Sequence, residues 1–187
     1  MPNRFFELHD DVHFPSRWHL NAPIDSKGRE LNDWEFKRGK PLKLKGRPRI
    51  PIEIMGRSLD FSEAGIMVPV VHVKVASVLK ELAPNDVQLI PVYIDGLPDQ
   101  YLILVATRLI RCIDEKNSKV QFWKPEDGLP DMVGKYYAVD DLRIDRAQVG
   151  EAKIFRPEGW EVALIVSEDI KEALENLGTT GAKFEEV

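Results

Sequence analysis

Hydrophobic and polar residues alternate over much of the chain, which indicates short β-strands rather than long helices. The clearest alternation lies in "LKLKGRPRIPIEIM", residues 42–55, and predicts a half-buried strand. Its two faces are basic and apolar, with Lys43, Lys45, Arg47 and Arg49 at one parity and Leu42, Leu44, Ile50, Ile52 and Ile54 at the other. "RFFEL" near the start and "IMVPVVHVKV" further along are predicted strands of the same kind.

Two β-rich runs form the strongest local signal in the chain. "VQLIPVYI" and "YLILVATRLIRCI" are joined by "DGLPDQ" and predict a hairpin with Asp95 and Gly96 at its turn. The preceding "ASVLKELAPND" predicts a short helix that Pro84 ends. "VQFWK" and "KYYAV" add two further predicted strands.

The last part of the chain predicts a strand, a helix and a strand in succession. After "VALIV", Ser167 is the predicted N-cap, and Glu168 and Asp169 favour the first helical turn. A stripe of apolar residues predicts that the helix packs on a sheet, and it consists of Ile170, Ala173, Leu174 and Leu177. Gly178 ends the helix before "AKFEEV". The predicted class is α+β, with a mainly antiparallel sheet and a few short helices.

The length of 187 residues suits one domain spanning 1–187, or two packed lobes of about 1–95 and 96–187. The chain has no apolar run of signal-peptide or membrane-spanning length, so we expect no membrane association. Its one cysteine, Cys112, excludes an intramolecular disulfide and fits a cytoplasmic location.

Charge is distributed unevenly along the chain. Residues 37–50, "KRGKPLKLKGRPRI", carry seven of the 26 basic side chains and no acidic one. The rest of the chain therefore holds 31 acidic against 19 basic side chains, which favours basic partners over nucleic acid. The basic stretch itself is open to three interpretations: an edge strand protected by charge, a contact for an anionic protein, or a nucleic-acid-binding module.

Three of the four histidines lie in "FELHDDVHFPSRWHL", residues 5–19. A strand here would align His9, Asp11 and His13 on one face, opposite Phe6 and Leu8. A metal-dependent enzyme could use these three side chains as ligands, but ordinary strand spacing leaves them too far apart to share one ion without a bulge. A solvated polar face is the alternative interpretation.

Other candidate sites give no enzyme signature. Cys112 lies in an apolar strand, and "GTTG" at 178–181 lacks the lysine and the spacing of a phosphate-binding loop. Asp140, Asp141 and Asp145 lack the spacing of a calcium loop and are interpreted as exposed acids. The four tryptophans are either partly buried core or interface anchors, and they are Trp18, Trp34, Trp123 and Trp160.

The arrangement of these motifs resembles a family of bacterial immunity proteins of polymorphic toxin systems, formerly a domain of unknown function. The resemblance rests on "RWHL", "LDFSEAG", the "QLIPVYIDG…YLILVATRLIRCID" hairpin and the ending "FRPEGWEVALIVSEDIKEALENLGTTGAKFEEV". It implies an α+β, non-enzymatic, cytoplasmic protein without cofactors that binds and neutralises a cognate toxin, with a basic toxin as one expectation.

Such a family gives no binding residues to carry over, because its toxin-facing surfaces differ between members. From the residues themselves, we expect the acidic Asp140, Asp141 and Asp145 to steer the encounter with a basic toxin. Anchoring in the interface is expected of a loop-edge tryptophan, with Trp18, Trp123 and Trp160 as the candidates.

Overall fold

A computed structural model describes residues 4–187, which form two β-sheets, a separate two-stranded ribbon and two α-helices. In chain order the strands are β1 (Phe5–Asp10), β2 (His19–Leu20), β3 (Arg49–Ile50), β4 (Ile52–Ile54), β5 (Phe61–Ala64), β6 (Val68–His72), β7 (Val87–Ile94), β8 (Leu97–Ala106), β9 (Leu109–Ile110), β10 (Lys119–Phe122), β11 (Tyr136–Asp140), β12 (Ile154–Pro157), β13 (Ile165–Ser167) and β14 (Ala182–Glu186). The helices are α1 (Val73–Leu82) and α2 (Glu168–Asn176). The predicted α+β class with predominating strands is confirmed.

The larger sheet has seven strands in the order β3-β7-β8-β6-β5-β2-β4. The β7–β8 hairpin is its centre, and Ile94 pairs with Leu97 across the predicted Asp95-Gly96 turn. Leu104 packs into the core on one face of this sheet while Ile103 and Val105 pack into the core on the other. Because both faces of β8 are buried here, apolar residues are needed at both parities, which explains the continuous apolar run "YLILVA".

The smaller sheet has five strands in the order β14-β1-β13-β12-β9. Phe6 of β1 pairs with Val166 of β13 on one side and with Glu186 of β14 on the other. The first strand of the chain therefore lies between its last two strands. Both helices pack into a core that the two sheets share, through Val75 and Leu79 of α1 and through Ile170 and Leu174 of α2. The predicted strand, helix and strand at the C-terminal end are confirmed.

The two sheets do not divide the chain near residue 95. The β7–β8 hairpin lies across that position within one sheet, and β1 belongs to the sheet that the last third of the chain builds. A boundary at 95 and 96 would therefore separate hydrogen-bonded neighbours.

The alternating stretch 42–55 forms less strand than its pattern predicts. Only Arg49–Ile50 and Ile52–Ile54 enter the sheet, at its two opposite edges, and residues 41–48 are irregular. Pro41, Pro48 and Pro51 lack the N–H group that a ladder needs, which explains why alternation alone does not make a long strand here. Burial still alternates, because Leu42 and Leu44 pack against the core while Lys43 and Lys45 are exposed.

Candidate functional site

The β10–β11 ribbon projects from the smaller sheet's side of the molecule as a hairpin with a long loop. Lys119 pairs with Asp140 and Val120 with Val139, and a bulge interrupts the pairing before Phe122 meets Tyr136. Val139 is buried in a third core cluster, which includes Phe155 and Ile165 of the smaller sheet, and Val120 and Tyr136 pack against that cluster. The ribbon is thus anchored at its base, and most of its remaining length is exposed.

The exposed part of the ribbon carries apolar and aromatic side chains among charged ones. Phe122 is 39% exposed, Leu129 48%, Val133 42% and Tyr137 54%. Phe122 stacks on Tyr136 with ring centroids 5.2 Å apart, and Trp123 meets Tyr137 edge-on at 4.7 Å. Isolated two-stranded ribbons are marginal, so these aromatic pairs stabilise a surface that is otherwise open to solvent.

A wide groove of about 1080 Å³ lies beside the ribbon, between the loop 111–116 and the loop 158–161. Five carboxylates and three cationic side chains line it, which leaves it acidic. On one wall Tyr136 donates its hydroxyl to Glu115 Oε1 at 2.7 Å. Burial, together with the Glu115 carboxylate, raises the pKa of Tyr136 to about 12, so this phenol stays neutral and keeps its bond.

The three predicted aspartates lie close to this surface, each with a different role. Asp145 lines the groove, and its carboxylate accepts the Ala147 N–H at 3.0 Å, which caps a short 3₁₀ turn. Asp141 pairs with Lys119, and this ion pair lowers the pKa of the Asp141 carboxyl. Asp140 ends β11 with an exposed side chain and forms no ion pair within residues 4–187.

The predicted tryptophans separate into surface and core. Trp123 is half-buried on the ribbon, and Trp160 packs half-buried on the third core cluster beside the groove loop 158–161. Trp18 is only 1% exposed, and its indole N–H donates to Ser62 Oγ at 2.8 Å. Because Trp18 is a core residue, it presents no surface to a partner, and its selection as a candidate anchor is corrected.

The opening histidines do not share a strand face. β1 ends at Asp10, and the chain then turns, with the His13 backbone N–H donating to Asp11 Oδ1 at 3.1 Å. His9 instead pairs with Lys183 of β14, and its Nε2 lies 4.0 Å from Oε2 of Glu185 on the same strand. Within residues 4–187, no group of three or more His, Cys, Asp and Glu side chains is arranged to hold a metal ion. The proposed alignment of His9, Asp11 and His13 is therefore wrong.

The remaining histidine, His72, and Cys112 have structural surroundings. His72 caps α1, where its Nδ1 accepts the Lys74 N–H at 3.2 Å. Cys112 is 2% exposed, and burial raises the pKa of its thiol to about 12, with a further contribution from Asp145. A thiol of this kind is neutral and inaccessible at physiological pH.

The basic stretch 37–50 is not a uniform positive face. Lys37 is fully buried and donates to the Ile66 carbonyl at 2.6 Å. Arg47 pairs with Asp99 at 2.6 Å and lies over the Tyr93 ring at 3.9 Å. Lys43 and Lys45 are exposed, and Arg49 lies at the edge of the larger sheet. Nucleic-acid binding by this stretch stays an untested alternative.

The structure buries several charged side chains that were not predicted as buried. For two of them, the position within an apolar pattern indicates burial. Asp10 shares the parity of Phe6 and Leu8 in β1, and Arg156 lies inside the apolar "IFRP". Asp10 is 7% and Arg156 1% exposed, while Glu63 is partly buried between them and their neighbours. A charged residue at an apolar parity is the pattern that indicates such a buried group.

Fold and surface together define an α+β protein of two packed, mainly antiparallel sheets that carries an exposed aromatic ribbon beside an acidic groove. The chain belongs to the immunity protein family Imm11, whose family model matches residues 92–187, just over half of the chain. Comparison with curated proteins finds no match. The matched residues include the whole ribbon and every residue that lines the groove. Within residues 4–187, no helix has the length and apolar character that crossing a membrane requires.

Proposed function

We propose that this protein is an immunity protein that binds a cognate toxin encoded nearby and thereby protects the bacterial cell that produces both. The observation that carries the proposal is the family match, since it covers the residues that form the ribbon and the groove. The protein acts stoichiometrically in the cytoplasm as part of a polymorphic toxin system. Neutralisation by occlusion needs no catalytic group of its own.

The ribbon and the groove would contribute different interactions to toxin binding. Aromatic and aliphatic side chains such as Phe122, Val133 and Tyr137 supply apolar surface, which removes water from the centre of an interface. The acidic groove and the exposed Asp140 favour a partner with a basic surface and accelerate its approach. Trp123 and Trp160 are the proposed aromatic anchors at the two sides of this surface.

The neighbouring reading frame provides the test. The C-terminal domain of the adjacent large protein is expressed alone and together with this protein, and growth and complex formation are measured. We expect growth arrest by the domain alone, rescue on co-expression, and a one-to-one complex by calorimetry. Arrest that this protein fails to relieve, with no complex at micromolar concentrations, would refute the proposal.

Tyr137→Ser tests whether the ribbon carries the contact. Losing one half-exposed aromatic side chain from an interface centre is expected to weaken binding by on the order of tenfold or more. Tyr93→Ser is the matched control, because Tyr93 is 47% exposed on β7 and lies outside the ribbon. Equal affinities for both variants would exclude the ribbon while leaving the immunity function intact.

A further inference from the structure

A second cleft, of about 420 Å³, lies in the first half of the chain and outside the residues that the family model matches. It opens between the segment that follows β1 and the turn that joins β5 to β6. Val12, 68% exposed, and Ile66, 61% exposed, form its apolar rim. Exposed aliphatic side chains around a polar cleft are typical of a binding surface.

The rim is held rigidly at Ile66. Its backbone N–H donates to Asp33 Oδ2 at 2.6 Å, and its carbonyl accepts from Lys37 Nζ at 2.6 Å. Asp33 is 8% exposed and Lys37 is fully buried, so both groups are fixed by their surroundings. A ligand that contacts this turn would therefore not have to order it first.

Asp10 and Arg17 form the floor of the cleft. Asp10 is 7% exposed, and its Oδ2 accepts from Arg17 Nη2 and from the Glu63 backbone N–H at 3.2 Å. Its Oδ1 has no hydrogen-bond partner within residues 4–187. Arg17 also donates to the carbonyls of Asp11, at 2.9 Å, and Trp18, at 3.3 Å. Each nitrogen of its guanidinium therefore makes a hydrogen bond inside the protein.

Two carboxylates of the cleft, those of Glu53 and Glu63, form no ion pair with any described residue. The charges of the buried Arg156 and of Lys37 act on Glu63 only at longer range. Arg17 is paired with Asp10, so the cleft carries negative charge beneath an apolar rim once Glu63, whose pKa burial raises to about 7, is ionised. An anion would then be repelled, and among residues 4–187 no group of three or more His, Cys, Asp and Glu side chains is arranged to hold a metal ion.

We propose that this cleft binds the side chain of a lysine or arginine presented by a protein partner. The cationic head lies between Glu53 and Glu63, and the methylene stem lies against Val12 and Ile66. The Oδ1 of Asp10 leaves a buried hydrogen-bond acceptor without a partner among the described residues at the floor of the cleft. This site goes beyond the proposed ribbon surface and gives the protein a second point of contact.

The test uses the full-length protein alone, so its outcome does not depend on the toxin. Backbone amide NMR shifts of Val12, Gly65 and Ile66 are followed during titration with N-acetyl-lysine methylamide or its arginine equivalent. We expect saturable shifts with a dissociation constant on the order of 1 mM, as suits a probe of this size. The norleucine analogue, which lacks the charge, and the diamine putrescine are the comparison probes.

Variants locate the charge that binds the probe. At about pH 8, where the Glu63 carboxyl is ionised in the folded protein, Glu53→Gln and Glu63→Gln are each expected to weaken lysine binding about fivefold, whereas Glu81→Gln on the exposed face of α1 leaves it unchanged. The amide spectrum of each variant verifies its fold. Equal shifts with norleucine, tighter binding of putrescine than of lysine, or no saturable shift at about ten times the expected constant would each overturn the proposal.

Discussion

The charge state of Glu63 should make the stability of this protein depend on pH. Burial and the nearby carboxylates of Asp10 and Glu7 raise the pKa of Glu63 from 4.5 to about 7, against the opposing effect of Arg156 and Lys37. In the unfolded chain the same carboxyl ionises near its ordinary value. Folding therefore favours the protonated form of Glu63 over the range between the two values.

The sign and the size of the effect follow from linkage. Because the pKa is higher in the folded state, the folded protein binds more protons, and raising the pH through this range destabilises it. The full difference corresponds to about 3.4 kcal/mol. The unfolded carboxyl begins to ionise below about pH 5, so part of this loss of stability has already occurred at that pH. The change in the free energy of unfolding between about pH 5 and about pH 8 therefore amounts to about 2.5 kcal/mol.

Glu63→Gln removes this titration and keeps the shape of the side chain. We expect the free energy of unfolding of the variant, relative to the natural protein, to rise by about 2.5 kcal/mol from about pH 5 to about pH 8. Urea unfolding at several pH values within that range measures it. Glu81→Gln is the control and should follow the natural protein throughout, because Glu81 is exposed on α1. A constant difference between Glu63→Gln and the natural protein would refute the reasoning.

Three further predictions concern backbone conformation, a buried ion pair and association. Gly181→Ala should destabilise by about 3 kcal/mol or more, because a Cβ there would lie 2.3 Å from the Phe61 carbonyl oxygen at φ +85°. Gly178→Ala, with open space at φ +70°, should lose only about 1 kcal/mol by the same denaturation assay. Arg17→Met should destabilise by about 3–5 kcal/mol by leaving Asp10 buried and unpaired, whereas Arg29→Met, in an exposed pair, should change stability by less than about 1 kcal/mol. Asp140→Asn should slow association with the toxin about twofold at low salt and leave the dissociation rate unchanged in stopped-flow measurements.

The local elements of the fold could be predicted from the sequence because their signals are local. The β7–β8 hairpin follows from two apolar runs and an Asp-Gly turn, and α2 follows from its apolar stripe. Ser167 takes the predicted N-cap position, but its hydroxyl donates to Asp169 instead of accepting a backbone N–H. Even here the tertiary environment adjusts the details. Leu177 of the predicted stripe is the C-cap and is 36% exposed, because the helix ends at Asn176.

The candidate surfaces were predicted less completely. Of the residues predicted from the sequence, Asp145 lines the groove, Trp123 lies on the ribbon and Trp160 lies in the loop 158–161. Trp18 was also predicted, but the larger sheet buries it, and His13 lies three residues beyond the end of the strand predicted to contain it. Periodicity describes which face a residue takes within an element, but it does not show where the element stops or what covers that face.

The sequence by itself therefore determined the elements and their class, whereas the tertiary structure decided which elements meet. β1 lies between β13 and β14, more than 150 residues away along the chain, and no local pattern specifies that pairing. The same is true of the buried charges: Glu63, Glu7 and Arg156 come from three strands, and burial, followed by the charges of their neighbours, changes their pKa values. Burial and charge compensation depend on neighbours in space, so they arise only when the two sheets pack together.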